Sequence, residues 1–203
     1  AATGKSTGAK MIAKKYNLKF LSSGLLYRYA SYLILKYNPK NEIKFLKLKF
    51  KNINQDKMNK INLHTAEISN HSAIIAKKIK VRNILKKIQL DFSKKYKNCC
   101  IEGRDISTKI LPKSDIKFFF KCNLNTAALR RWKELKKTGH TIKLKDVKKA
   151  LRIRNNDDTK RRFSPLLKHR DAIEIDTGKL NKQAMLKKMS KYIEEKIIDK
   201  YGN

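Results

Sequence analysis

The sequence predicts an α/β fold in which a parallel sheet is flanked by helices within one domain. Three observations carry this expectation. Short apolar runs of strand length, at 18–21, 98–105, 116–120 and 172–176, alternate with longer segments of helical periodicity. Gly4-Lys5-Ser6-Thr7 stands directly before one such helix, the arrangement of a phosphate-binding loop. The run 98–105 carries Glu102, Gly103, Arg104 and Asp105 at its carboxyl end, where open α/β sheets bind their ligands.

The loop explains its own residue types. Glycine lets the backbone turn successive N–H groups toward phosphate oxygens, and the following helix adds its positive end. Lys5 is expected to reach the β- and γ-phosphates and the Ser6 hydroxyl to ligate Mg²⁺. Ala2, Thr3, Gly4, Lys5, Ser6 and Thr7 are the candidate nucleotide-binding residues. The first glycine of the full pattern falls outside the chain, which starts without Met or a preceding strand, so we expect truncation at the N-terminus.

In chain order, residues 5–16 read as the helix after the loop and 18–21 as a buried strand. Ser22-Ser23-Gly24 opens a second helix to about Tyr37, with apolar positions at Leu26, Tyr29, Ala30, Leu33 and Ile34, and Pro39 ends it. Residues 43–50 alternate apolar residues with lysine, the pattern of a half-buried strand. A polar turn at 52–60 and a return strand at 61–63 complete a small β insertion. Helical pattern resumes at 66–96, as two helices with Arg82 near their junction. Beyond the strand at 116–120, helices are expected at 126–137, closed by Gly139, and at 144–154. A polar, charged segment at 155–162, a last strand at 172–176 and an amphipathic helix at 180–201 finish the chain.

Composition narrows the function classes. The chain has 203 residues, 40% of them hydrophobic, with no apolar run near the roughly 20 residues of a membrane span. A soluble, cytoplasmic protein is expected. Cys99, Cys100 and Cys122 lack Cys-x-x-Cys spacing and suit reduced thiols. The four histidines are scattered, so no structural metal is expected. The formal net charge of +34 would suit a nucleic-acid partner, but lysine is spread along the whole chain, and solvated faces are the favoured reading. Arginine is scarce by contrast, with 10 against 41 lysines, so an Arg is expected where a planar bidentate fork is required.

Five segments, in order, carry a resemblance. They are Thr3–Thr7, Leu21-Ser22-Ser23-Gly24-Leu25-Leu26-Tyr27-Arg28, Glu102-Gly103-Arg104-Asp105-Ile106-Ser107-Thr108, the run from Arg154 through Asp158 to Arg161 with Ser164-Pro165-Leu166, and 171–177. Together they resemble the motifs of the bacterial cytidylate (CMP/dCMP) kinases, P-loop nucleoside monophosphate kinases, along nearly the whole chain. The departures are Ser22, Glu102, Ser107 and Asn155, where the family motifs carry Asp, Asp, Gly and Asp. Seven of the ten arginines fall in or beside these segments.

The resemblance implies a P-loop NTPase three-layer fold with a small β-containing monophosphate-binding insertion and a short lid. Core residues would be 1–38, 81–154 and 171–203, the insertion about 39–80 and the lid about 155–170. It implies ATP and Mg²⁺ as cofactors and transfer of a phosphoryl group to CMP or dCMP; a monomer is expected, and from composition no membrane or nucleic-acid partner. Carried over by position, Ser23, Arg28 and Arg104 would hold the CMP phosphate, and Arg82 and Asp105 would lie against cytosine and sugar. Asp158 would accept from ribose hydroxyls, and Arg154 and Arg161 would bridge the phosphates as catalytic groups beside Lys5. Glu102 would orient Mg²⁺ through water, together with Ser6. Arg130 and Arg131 fall where the family has basic residues near the lid. The competing readings are a P-loop kinase for another monophosphate or small alcohol, and a basic nucleic-acid-binding protein.

Overall fold

Gly4 starts the first helix from a backbone conformation that favours glycine, with φ +73°. In the computed structural model the described residues are 2–51, 53, 58, 60–137, 139 and 141–201. They form two compact units, residues 1–20 with 104–203 and residues 21–103.

The first unit holds α1 (Lys5–Lys15), β3 (Phe118–Lys121), α6 (Leu124–Lys137), α7 (Leu144–Lys160), β4 (Ile173–Asp176) and α8 (Lys182–Tyr201). β3 and β4 pair in parallel, with Phe118 opposite Ile173 and Phe120 opposite Ile175. Parallel neighbours need a crossover, and α6 and α7 lie within it. Ile12, Ile175, Met185, Met189 and Ile193 form one core, in which the α8 residues recur every fourth position. Gly8 lets α1 approach this core closely. A Cβ there would lie 2.9 Å from two Phe120 ring carbons and 3.3 Å from Met189 Sδ.

A second cluster of the same unit joins α6 to α7 through Ala127, Ala128, Val147 and Leu151. The Trp132 indole N–H donates to the Ile142 carbonyl at 2.9 Å, tying the connecting turn to α6. Gly139 sits in that turn at φ +80°, as expected of a helix-closing glycine.

The second unit holds α2 (Ser23–Tyr37), α3 (Glu42–Lys51), α4 (Ala66–Ile75), α5 (Ile79–Lys95) and β2 (Cys99–Glu102). Its strand β2 pairs with β1 (Lys19–Ser22), whose last two residues belong to this unit. Leu26, Ala30, Leu33 and Ile34 bury one face of α2 against Leu46, Phe50, Ile75, Val81 and Leu85. Asn38, left-handed at φ 38°, caps α2 just before Pro39.

Two expectations are corrected. Residues 43–50 are helix α3 rather than a strand. Ile43, Leu46 and Phe50 also obey helical spacing; Leu46 and Phe50 are buried, while Leu48 is 70% exposed. A strand would have put Leu46, Leu48 and Phe50 on one face. Ile61-Asn62-Leu63 is no strand either; it lies in a turn, and Leu63 enters the helical core. Among the described residues of 39–80 there are therefore helices and turns and no strand, while most of the turn expected at 52–60 lies outside the described residues. The second correction concerns the helix expected at 144–154, which runs on through the polar, charged residues to Lys160. Cys99, Cys100 and Cys122 form no disulfide with one another.

Candidate active site

In the first unit the site begins at the loop. α1 has no side-chain cap at Gly4 and no acidic residue in its first turn, and Lys14 and Lys15 occupy its last turn. Its positive end is thus not countered by a nearby carboxylate of its own, which suits an anion. Lys5 is half-buried, and Ser6 and Thr7 are exposed in the first helical turn.

The extension of α7 gives the Arg154…Asp158…Arg161 spacing its physical meaning. Arg154 and Asp158, four residues apart, share a helix face, and Arg161 follows as the C-cap with an extended backbone. Asp158 is buried on that face. Arg104, two residues beyond β2, places Nη1 2.5 Å from Asp158 Oδ2. Arg161 Nη1 lies 3.6 Å from Asp158 Oδ1, and its Nε donates to the Ser164 carbonyl at 2.5 Å. The Leu166 N–H donates to the Asp158 carbonyl at 2.7 Å, which folds the Ser-Pro-Leu segment back onto the helix end.

Burial lowers the Arg104 pKa; the Asp158 carboxylate opposes that shift and the Arg154 charge adds to it. Four residues singled out from the sequence, Arg104, Arg154, Asp158 and Arg161, are thus brought together. Asp158 faces arginines here, and its carboxylate orients two guanidinium forks. Asp105 is buried and starts a π-helical turn, Ile106–Ile110, which the sequence pattern did not reveal. Its carbonyl accepts from the Lys109 N–H at 2.8 Å. Such turns concentrate at functional sites.

In the second unit, Ser22 and Glu102 end β1 and β2, and the Ser22 hydroxyl donates to Glu102 Oε1. Both residues are buried, as is Ser23. Arg28, one turn into α2, donates to the Leu63 carbonyl at 3.0 Å and lies 3.1 Å from His64 Nδ1. Arg82, 5% exposed in the first turn of α5, donates to the Ala76 carbonyl at 3.1 Å. Its guanidinium lies over the Tyr27 ring, 5.7 Å from the centroid. Tyr27 and His64 were not singled out as partners of these arginines. Both contacts join residues far apart in the chain, beyond the reach of a spacing rule.

Among the described residues no helix is long and apolar enough to cross a membrane. A family model described as cytidylate kinase matches residues 1–195. The chain is 34% identical to a cytidylate kinase of Clostridium tetani, with 100% of this chain and 94% of the relative covered. It is 32% identical to cytidylate kinases of Thermosipho melanesiensis and Rickettsia africae, with 97% of this chain and 94% and 90% of those relatives covered. A match of that extent, over loop, arginine cluster and both strand ends alike, places the chain in the cytidylate kinase family.

Proposed function

We propose that this protein transfers the γ-phosphoryl group of ATP to CMP or dCMP, releasing ADP and CDP or dCDP. The observation that supports it best is the gathering of Arg104, Arg154 and Arg161 about Asp158, near the end of α7. Phosphoryl transfer leaves the protein little covalent work. An oxygen of the CMP phosphate attacks the γ-phosphorus, the bond from that phosphorus to the β–γ bridging oxygen breaks, and ADP leaves with the electron pair. The protein's task is to hold two anions in line and stabilise charge that spreads over the transferring group.

In this reading, residues Ala2 to Thr7 hold the ATP phosphates and Lys5 reaches the β- and γ-oxygens. Arg154 and Arg161 grip the transferring group through planar forks that match phosphate oxygens. Ser23, Arg28 and Arg104 bind the CMP phosphate, Arg82 and Asp105 the nucleoside, and Asp158 the ribose. The Ser6 hydroxyl and the Glu102 carboxylate are hard oxygen donors of the kind Mg²⁺ takes, Glu102 through water. Bound Mg²⁺ would neutralise charge on the phosphates. Residues 155–170 act as the lid and exclude water that would otherwise hydrolyse ATP. The protein works as a cytoplasmic monomer, with its lysines as solvated faces.

The test is ADP formation from ATP and Mg²⁺ with each nucleoside monophosphate in turn. Turnover with CMP and dCMP that Lys5→Ala and Arg104→Ala abolish is expected. A folded protein inert toward every monophosphate would overturn the reading.

A further inference from the structure

Thr177 is 2% exposed and directly follows β4. Its backbone N–H donates to the Lys121 carbonyl at 2.9 Å, extending the β3–β4 ladder by one residue. Arg130, on α6, grips it with both ends of its fork. Nη1 donates to Thr177 Oγ1 at 3.1 Å and Nη2 to the Thr177 carbonyl at 2.7 Å. A guanidinium can only donate, so the single hydroxyl hydrogen of Thr177 must go to an acceptor. Two carbonyls are in reach, Thr3 at 2.9 Å and Lys121 at 3.4 Å, and the nearer one takes it. The Thr177 methyl lies 3.6 Å from where a Cβ on Gly4 would sit, so the loop backbone rests on this side chain.

The consequence concerns one peptide plane. In a trans peptide the carbonyl of one residue and the N–H of the next point to opposite sides. With the Thr3 carbonyl turned to the Thr177 hydroxyl, the Gly4 N–H points to the opposite side of the peptide plane, as a donor for an anion. Rotating that peptide would present a carbonyl oxygen to the anion instead. We propose that Arg130 and Thr177 are positioning residues. Arg130 orients the Thr177 hydroxyl, and that hydroxyl pins the Thr3–Gly4 peptide of the phosphate loop in its anion-binding orientation. The proposal rests on the reading that this loop holds the ATP phosphates. It gives Arg130 a part distinct from that of its neighbour Arg131, which pairs along its own helix with Glu134.

Thr177→Val removes the hydroxyl at nearly constant shape, and Thr177→Ser restores it. On the full-length protein, Thr177→Val is expected to raise KM for ATP about tenfold, the range of one hydrogen bond to a polar partner. KM for CMP should stay within about twofold, and Thr177→Ser should recover most of the ATP affinity. Arg130→Met should follow Thr177→Val, and the two together should cost little more than either alone, because they act through one contact. Amide hydrogen exchange on the nucleotide-free protein gives a readout that needs no kinase activity. Exchange at residues 3–7 should quicken in Thr177→Val and not in Thr177→Ser. Unchanged exchange and an unchanged KM for ATP in Thr177→Val would overturn the proposal. So would equal rises in both KM values with a lowered Tm, which would mark a merely structural role. Absence of ATP binding by the unsubstituted protein would sink the kinase reading, while the exchange comparison would still decide the anchoring.

Discussion

The Ser22 hydroxyl donates to Glu102 Oε1 and at the same time accepts from the Leu25 N–H at 3.3 Å. One side chain therefore caps α2 and holds a buried carboxylate at the end of β2. Where the family motifs have two aspartates, this chain has a hydroxyl facing a carboxylate one methylene longer. The two departures are thus in direct contact with each other.

Ser22→Ala removes both bonds. The lost cap should cost about 1 kcal/mol, and the lost bond to a charged group about 1.5–3 kcal/mol, read by denaturant unfolding. The Mg²⁺ concentration for half-maximal activity should rise as well if Glu102 orients the ion. A stability loss with an unmoved Mg²⁺ dependence would confine the pair to a structural role.

Asp158 and Arg161 should respond unequally to substitution. Arg161→Lys keeps the charge but loses the fork, and kcat/KM should fall on the order of 10- to 100-fold, the range for hydrogen bonds to charged groups. Asp158→Ala leaves two guanidinium groups facing each other with the carboxylate gone, and should cost about 3 kcal/mol of stability. Steady-state kinetics beside denaturation curves separate the two effects.

Gly8→Ala offers a reversal of helix propensity. In an exposed helix alanine would gain about 1 kcal/mol over glycine. Here the new methyl would meet the Phe120 ring at 2.9 Å, so the substitution should lower Tm instead. A raised Tm would show that Phe120 and Met189 can move aside.

Glu174 gives a pH dependence with a defined sign. The Lys121 ammonium at 2.7 Å, with Lys168 at 3.7 Å, holds its carboxyl below the ordinary value of 4.5. Its contribution is therefore fully present above pH 4.5 and is lost as pH falls through the depressed folded value. Glu174→Gln should be less stable than the unsubstituted protein at neutral pH, and the gap should close on acidification and shrink in high salt. Melting curves across pH check it. A gap independent of pH would show that the ion pairs contribute nothing.

The sequence by itself determined the Gly-Lys-Ser-Thr turn before a helix, most of the strands and helices, the resemblance and the arginines worth following. Those signals are local. A Gly-Lys-Ser-Thr turn, a Ser before a helix, a Gly-Arg-Asp at a strand end each state their chemistry within a few residues. Local pattern was ambiguous at 43–50, where alternation and helical spacing coexist; burial of Leu46 and Phe50 with Leu48 left in solvent decided for the helix. It was silent at 155–160, where polar residues hid a helix that carries Arg154 and Asp158 and is capped by Arg161. Only the tertiary structure joined Arg130 to Thr177 and Thr177 to Thr3, contacts that span 47 and 174 residues of chain. The physical reason is that a hydrogen-bond partner is chosen by where folding brings an acceptor, and packing of the whole unit decides that placement.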